Sequence, residues 1–108
     1  MAERVEAARA EEGAARTWRI ELHGDLDLQS APALSEQLEG LARDQAVLVI
    51  VSLANVTFLD SSGLRALVHG ARVLEEAGGR LLVEGASGAV ARVLELTDLL
   101  RRLSDGED

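Results

Sequence analysis

The stretch 46-AVLVIVSL-53, Ala46 to Leu53, decides the fold. It is short, β-branched and apolar throughout except for Ser52, with no alternation between apolar and polar positions. A run of that length and composition reads as a strand covered on both faces, as in the interior of a parallel sheet.

The flanking segments fit such a strand. On its C-terminal side, a helix is predicted from Ser61 or Ser62 to Ala77, with Leu64, Leu67, Val68, Ala71 and Leu74 on one stripe and Gly78-Gly79 as its stop. "RLLVEG" follows as another strand, and Ser87 can cap a third helix carrying Val90, Val93, Leu94 and Leu96. On the N-terminal side, "TWRIELHG" alternates, with Trp18, Ile20 and Leu22 on one face and Arg19, Glu21 and His23 on the other. That is a half-buried strand ended by Gly24-Asp25. Between the two strands, Ser30 reads as an N-cap and Pro32 lies in the first turn. Ala33, Leu34, Leu38 and Leu41 have helical spacing, and the helix ends near Arg43-Asp44.

The order strand, helix, strand, helix, strand, helix predicts a single α/β domain. Its β-sheet should have parallel central strands joined by right-handed crossovers, with helices on at least one face. Residues 17–103 form that domain and 104–108 a polar tail. The segment 1–16 is ambiguous: its Ala, Glu and Arg content favours a frayed helix or tail. Glu11-Glu12-Gly13 could instead turn a hairpin between Val5–Ala10 and Arg16–His23.

Composition narrows the function. The chain has 108 residues, enough for one self-sufficient core, and 47% of them are apolar. Trp18 and Phe58 are the only aromatics, so the core is aliphatic and no stacking platform for single-stranded nucleic acid exists. A net charge of −8 argues against binding nucleic acid through its phosphates and suits a partner with a basic surface. All eleven basic residues are arginine, which removes lysine chemistry, and the absence of cysteine removes thiol catalysis and disulfides. The charged opening residues do not resemble a signal peptide, and no apolar run is long enough to span a bilayer. The expectation is a cytoplasmic protein without membrane insertion.

One junction stands out. In 58-FLDSSGLRALV-68, three small polar residues, Asp60, Ser61 and Ser62, interrupt a sequence otherwise suited to a core. The structural reading is a strand-to-helix junction with a serine N-cap, worth about 1 kcal/mol. The functional reading adds that Ser61 sits at a helix N-terminus, where backbone donors and the dipole favour an anion such as a phosphate. Catalysis fits poorly: the pattern is not G-x-S-x-G, His69 lies two turns into the helix, and His23 ends a different strand. Asp25, Asp27, Gln29 and Glu36 mimic EF-hand spacing, but Ser30 stands where that loop requires glycine and Pro32 begins a helix inside it. No metal site is assigned. The glycines of Gly78-Gly79 and "EGASGAV" match neither phosphate-binding fingerprint, so no cofactor is expected. Gly70, inside the second helix, suggests close packing on the sheet, and Arg101-Arg102 a solvated helix end.

Three ordered segments, "GDLDLQSAPAL", "VLVIVSLANVTFLDSSGLRALV" and "GGRLLVEGASGAVARVLELTDL", together resemble the STAS domain, and most closely the bacterial anti-sigma factor antagonists. The resemblance runs from Thr17 to Leu103 and is most specific at Asp60–Leu64. It implies a small α/β domain with a mixed β-sheet, acting as a non-enzymatic regulator of sigma-factor-dependent transcription in a stress response. Such a protein binds an anti-sigma factor that is also a serine kinase with a histidine-kinase-like ATPase fold. By this resemblance the kinase phosphorylates the first serine after the motif's aspartate, here Ser61; the phosphorylated form is released, and a protein serine phosphatase restores it. Asp27, from the "GDLD" turn, together with Asp60, Ser61, Ser62, Gly63, Leu64 and Arg65, then forms the partner-binding surface, and Arg4 to Ala10 should form a first strand. Two departures stand out. The chain stops soon after "LTDLLRRLSDGED", without the final apolar strand and helix of many relatives, and Arg65-Ala66 replaces small or apolar residues. The alternative implied by the same fold is a STAS scaffold or regulatory subunit of a stress-signalling or lipid-transport complex.

Overall fold

The computed structural model describes residues 10–12 and 16–95. A short strand β1 (Ala10–Glu12) precedes β2 (Thr17–Leu26), α1 (Ala31–Arg43), β3 (Leu48–Leu59), α2 (Ser61–Glu76) and β4 (Arg80–Glu84); residues 88–95 are helical and are termed α3. The sheet order is β1-β2-β3-β4, with β1 antiparallel to β2 and the other neighbours parallel. This is the α/β class with parallel central strands that the alternation of elements predicts, and the mixed sheet that the STAS resemblance implies.

Strand order advances in one direction through two parallel crossovers, and crossovers of one hand place α1 and α2 on the same face of the sheet. There they pack on each other, with Gly70 of α2 against Leu38 of α1 and His69 bonded to Glu39 at 2.8 Å. Gly70 is therefore a helix-to-helix contact, not the helix-to-sheet contact expected from sequence. A Cβ there would stand 2.3 Å from a methyl of Leu38. The core lies between sheet and helices, with Ile20, Leu22, Leu26, Leu34, Leu38, Val49, Val51 and Leu74 fully buried. In α1 the buried stripe is Ala31, Leu34, Leu38, Leu41 and Ala42; Ala33, expected on it, is exposed.

β3 is central, but among the described residues helices cover only one of its faces. On the other, Leu48 and Ile50 are half-buried. Arg19 of β2 reaches across β3 to pair with Glu84 of β4 and also meets Glu21 at 3.3 Å. The hydrogen bond with Glu84, and then its charge, raise the Arg19 pKa above its ordinary value. The unbroken apolar run thus reflects a central strand whose second face is screened by the stems and charges of its neighbours' side chains.

Both long strands outrun the sequence reading. β2 continues through Gly24 to Leu26, and β3 through Ala54 to Leu59. The β2–β3 register slips twice, between Glu21 and His23 and between Gly24 and Asp25, each time by one extra residue in β3. These bulges explain why Leu53, Val56 and Leu59 are buried at a spacing of three, where an undisturbed strand would bury every second residue. Gly24 adopts φ +86° at the second bulge, a conformation that other residues rarely take. The bulges also leave Phe58 50% exposed, although it was expected in the core.

At the start, Glu11 and Glu12 are strand residues facing Arg19 and Trp18, so they do not form the hairpin turn proposed for them. The first strand expected over Arg4 to Ala10 meets the described strand only at Ala10. The rest of that segment, Leu96, Arg101-Arg102, the domain boundary at 103 and the tail 104–108 lie outside the described residues.

Candidate functional site

β2 and β3 are parallel neighbours, so their carboxyl ends lie together, with Leu26 paired to Leu59. The loops that leave them begin at Asp27 and Asp60, and the edge formed by such strand ends is where open α/β sheets place their sites. The amide of Asp60 donates to the Leu26 carbonyl at 3.3 Å, tying the two loops together.

Asp60, not a serine, caps α2. Its backbone is extended and its Oδ1 accepts from the N–H groups of Ser62 (2.8 Å) and Gly63 (3.0 Å), while its carbonyl accepts from Leu64 N–H (3.0 Å). A short carboxylate one residue before the first turn satisfies donors that a helix leaves free and complements its dipole. This corrects the serine N-cap expected at the junction. It also changes what an anion on Ser61 would meet, because the Ser62 and Gly63 amides that could hold it are already bonded to an anionic side chain.

Ser61 is the first helical residue and is exposed, with no side-chain hydrogen bond among the described residues. Ser62 and Leu64 are half-buried and Gly63 is buried. Gly63 sits so close to the end of β2 that a Cβ would stand 2.4 Å from the Leu26 carbonyl oxygen and 2.8 Å from a Leu59 methyl. The junction is therefore built from the core outward: Gly63 lets α2 start directly on β2, Asp60 fixes the first turn, and Ser61 is left facing solvent.

The β2–α1 turn is organised from within. The Ser30 side chain is buried and does not cap α1; its hydroxyl donates to the Asp25 carbonyl (2.8 Å) and accepts from the Asp27 amide (3.0 Å). Asp27 Oδ1 in turn accepts from the amides of Gln29 (3.1 Å) and Ser30 (3.2 Å). Asp27 thus acts first on its own loop, an Asx-type turn that delivers the chain into α1. Asp25 accepts from Thr57 Oγ1 at 3.3 Å, and Glu36 is exposed on α1; Asp25 and Asp27 both serve local structure. Among the described residues, no group of three or more His, Asp or Glu side chains could hold a metal ion.

Arg65 is exposed on α2 one turn after Ser61 and makes no ion pair among the described residues. It lines a shallow cleft of about 350 Å³ between the helices with Leu28, Pro32, Ser35, Ser62 and His69. Leu28, 72% exposed, is a residue that the sequence reading missed. The available signal was an apolar side chain inside the polar turn Asp27–Ser30, where no core periodicity calls for one. Leu28 supplies exposed apolar surface in the cleft beside Ser62 and Arg65, whereas Phe58, next to inward-facing Leu59, is exposed on the opposite face of the sheet. The arrangement suits docking a protein surface.

The family model described as "Mlab, STAS domain" matches residues 10–104. The chain is 35% identical over 81 residues to an anti-sigma-B factor antagonist of Bacillus subtilis (strain 168), covering 75% of this chain and 73% of that protein. It is 29% identical over 93 residues to the anti-sigma-B factor antagonist of Staphylococcus aureus (strain NCTC 8325 / PS 47), covering 84% of this chain and 86% of that one. Its fold matches the solved structure of the anti-sigma factor antagonist SpoIIAA in its unphosphorylated form with a TM-score of 0.74 and 25% identity, over 84% of this chain and 80% of that one. Among the described residues, no helix is long and apolar enough to cross a membrane.

Proposed function

The chain belongs to the STAS-domain family, among its anti-sigma factor antagonists, and on that footing we propose that it binds a serine-kinase anti-sigma factor through the Asp27–Asp60 end of the sheet and is switched off by phosphorylation of Ser61. The observation that carries this reading is the exposed Ser61 hydroxyl at the start of α2, held in place by a capped and close-packed junction. The solved SpoIIAA is described as an unphosphorylated form, which supports a phosphorylation cycle in a similar protein. Catalysis by Ser61 is not part of the reading, since His69, the nearest imidazole along α2, is bonded to Glu39.

The switch needs no refolding. A phosphoryl group brings about −1.5 to −2 charge and three acceptor oxygens at neutral pH. It would sit next to Asp60, whose carboxylate already holds the Ser62 and Gly63 amides, on a chain of net charge −8. Buried against a partner, that charge would be desolvated, with the Ser62 and Gly63 amides already taken by Asp60. A penalty of about 2.7 kcal/mol is a hundredfold in affinity. The dephosphorylated form presents a neutral hydroxyl at the end of the sheet that also carries exposed Leu28 and Arg65, and docks; a protein serine phosphatase regenerates it.

Incubation with the cognate anti-sigma factor and ATP, followed by peptide mapping, tests the assignment. Phosphate on Ser61 and its loss in Ser61→Ala are expected. Full modification of Ser61→Ala, or recovery of transporter or scaffold subunits and no kinase from native lysate, would overturn it.

A further inference from the structure

β4 is the last strand of the sheet among the described residues, and nothing among them pairs with its outer edge. Its parallel register with β3 fixes which backbone groups point outward. The Arg80 amide donates to the Val47 carbonyl at 3.0 Å, and Leu48, Ile50 and Ser52 stand opposite Arg80, Leu82 and Glu84. In a parallel ladder, then, Arg80, Leu82 and Glu84 direct their N–H and C=O groups to β3, and Leu81 and Val83 direct theirs away from it. The side chains of Arg80, Leu82 and Glu84 share the face without helices. Leu82 is 40% and Val83 36% exposed.

The strand reads Arg-Leu-Leu-Val-Glu, a cation at one end and an anion at the other with apolar residues between. We propose that this edge pairs antiparallel with the same edge of a second copy of the chain, extending the sheet across a two-fold axis at Leu82. In that register Leu81 faces Val83 of the second copy, and these are the two residues whose backbone groups point outward, so each such pair can exchange both hydrogen bonds. Leu82 faces Leu82 as a close, non-hydrogen-bonded pair. Arg80 faces Glu84 of the second copy, and symmetry makes this contact twice. Centring the pairing on Leu81 or on Val83 would set a charge opposite Leu82, so the charge pattern selects one register. Glu84 also carries Arg19 on its inner side, and a carboxylate has lone pairs for both guanidinium groups. The edge is five residues long and gives a weak, concentration-dependent dimer. It is separate from the cleft between α1 and α2, so pairing leaves the Ser61 end of the sheet free.

Sedimentation velocity of the full chain across the micromolar to millimolar range tests the proposal. The mass should rise from that of an 11.5 kDa chain toward its double. Arg80→Glu sets like charges opposite each other twice and should weaken the dimer about tenfold or more; Glu84→Arg should do the same. An equimolar mixture of the two variants should regain dimers, because each then faces its complement, and so should the doubly exchanged chain. Dimers indifferent to both reversals would place the interface elsewhere and overturn the proposal. So would a chain that stays monomeric at millimolar concentration with slowly exchanging Leu81 and Val83 amides, since residues beyond 95 would then cover the edge.

Discussion

Gly63→Ala is the sharpest structural test of how the Ser61 junction is built. The added Cβ would lie 2.4 Å from the Leu26 carbonyl oxygen, 2.7 Å from Leu26 Cγ and 2.8 Å from Leu59 Cδ1. Leu26 is fully buried and Leu59 nearly so, so neither can swing away, and the Leu26 oxygen also holds the Asp60 amide. Overpacking of this kind costs about 1–3 kcal/mol, and a backbone oxygen among the clashing atoms favours the upper part of that range. The helix-propensity gain of alanine over glycine, about 1 kcal/mol in a helix interior and less in a first turn, offsets part of it. The expected net loss is about 2 kcal/mol, a fall in Tm of roughly 8–16 °C for a domain of this size. Thermal and urea unfolding measure it. Gly40→Ala is the control: its nearest atom would be Arg43 Nη2 at 3.8 Å, so it should be neutral or stabilising by up to about 1 kcal/mol. A Gly63→Ala chain as stable as the parent would refute the close approach of α2 to β2 and the placement of Ser61 that depends on it.

The other expectations concern the two loops. Asp60→Ala removes the acceptor of the Ser62 and Gly63 amides and should cost about 1–2 kcal/mol in urea unfolding, whereas Asp60→Asn keeps a capping oxygen and should cost a fraction of that. Ser30→Ala takes a buried hydroxyl from between Asp25 and Asp27 and should cost about 1–3 kcal/mol, despite the loop's surface position. Ser61→Ala and Ser61→Asp should each leave stability within about 0.5 kcal/mol of the parent, because the side chain is exposed and unbonded. Calorimetric titration with the anti-sigma factor should show Ser61→Asp binding more weakly and Ser61→Ala close to the parent.

The α/β order was legible because hydrophobic period changes along the chain. Alternation in Thr17–His23 and 3.6-residue spacing in Leu64–Leu74 each report a local geometry that burial enforces. Strand lengths were not legible, since the bulges in the β2–β3 pair replace a spacing of two with a spacing of three at Leu53, Val56 and Leu59. The cap was misread for a related reason. Asp60, Ser61 and Ser62 are all good capping residues, and only the extended backbone at Asp60 decides among them. The motif marked the position of the candidate site but not its surroundings: Leu28 and Arg65 come together only when α1 and α2 pack on one face, a tertiary event with no local signature.

The central claim is most directly tested by comparing the affinity of the anti-sigma factor for the unmodified chain with its affinity for a chain stoichiometrically phosphorylated on Ser61. The account predicts a loss of about a hundredfold or more with an unchanged unfolding midpoint. Equal affinity of the two forms would contradict it.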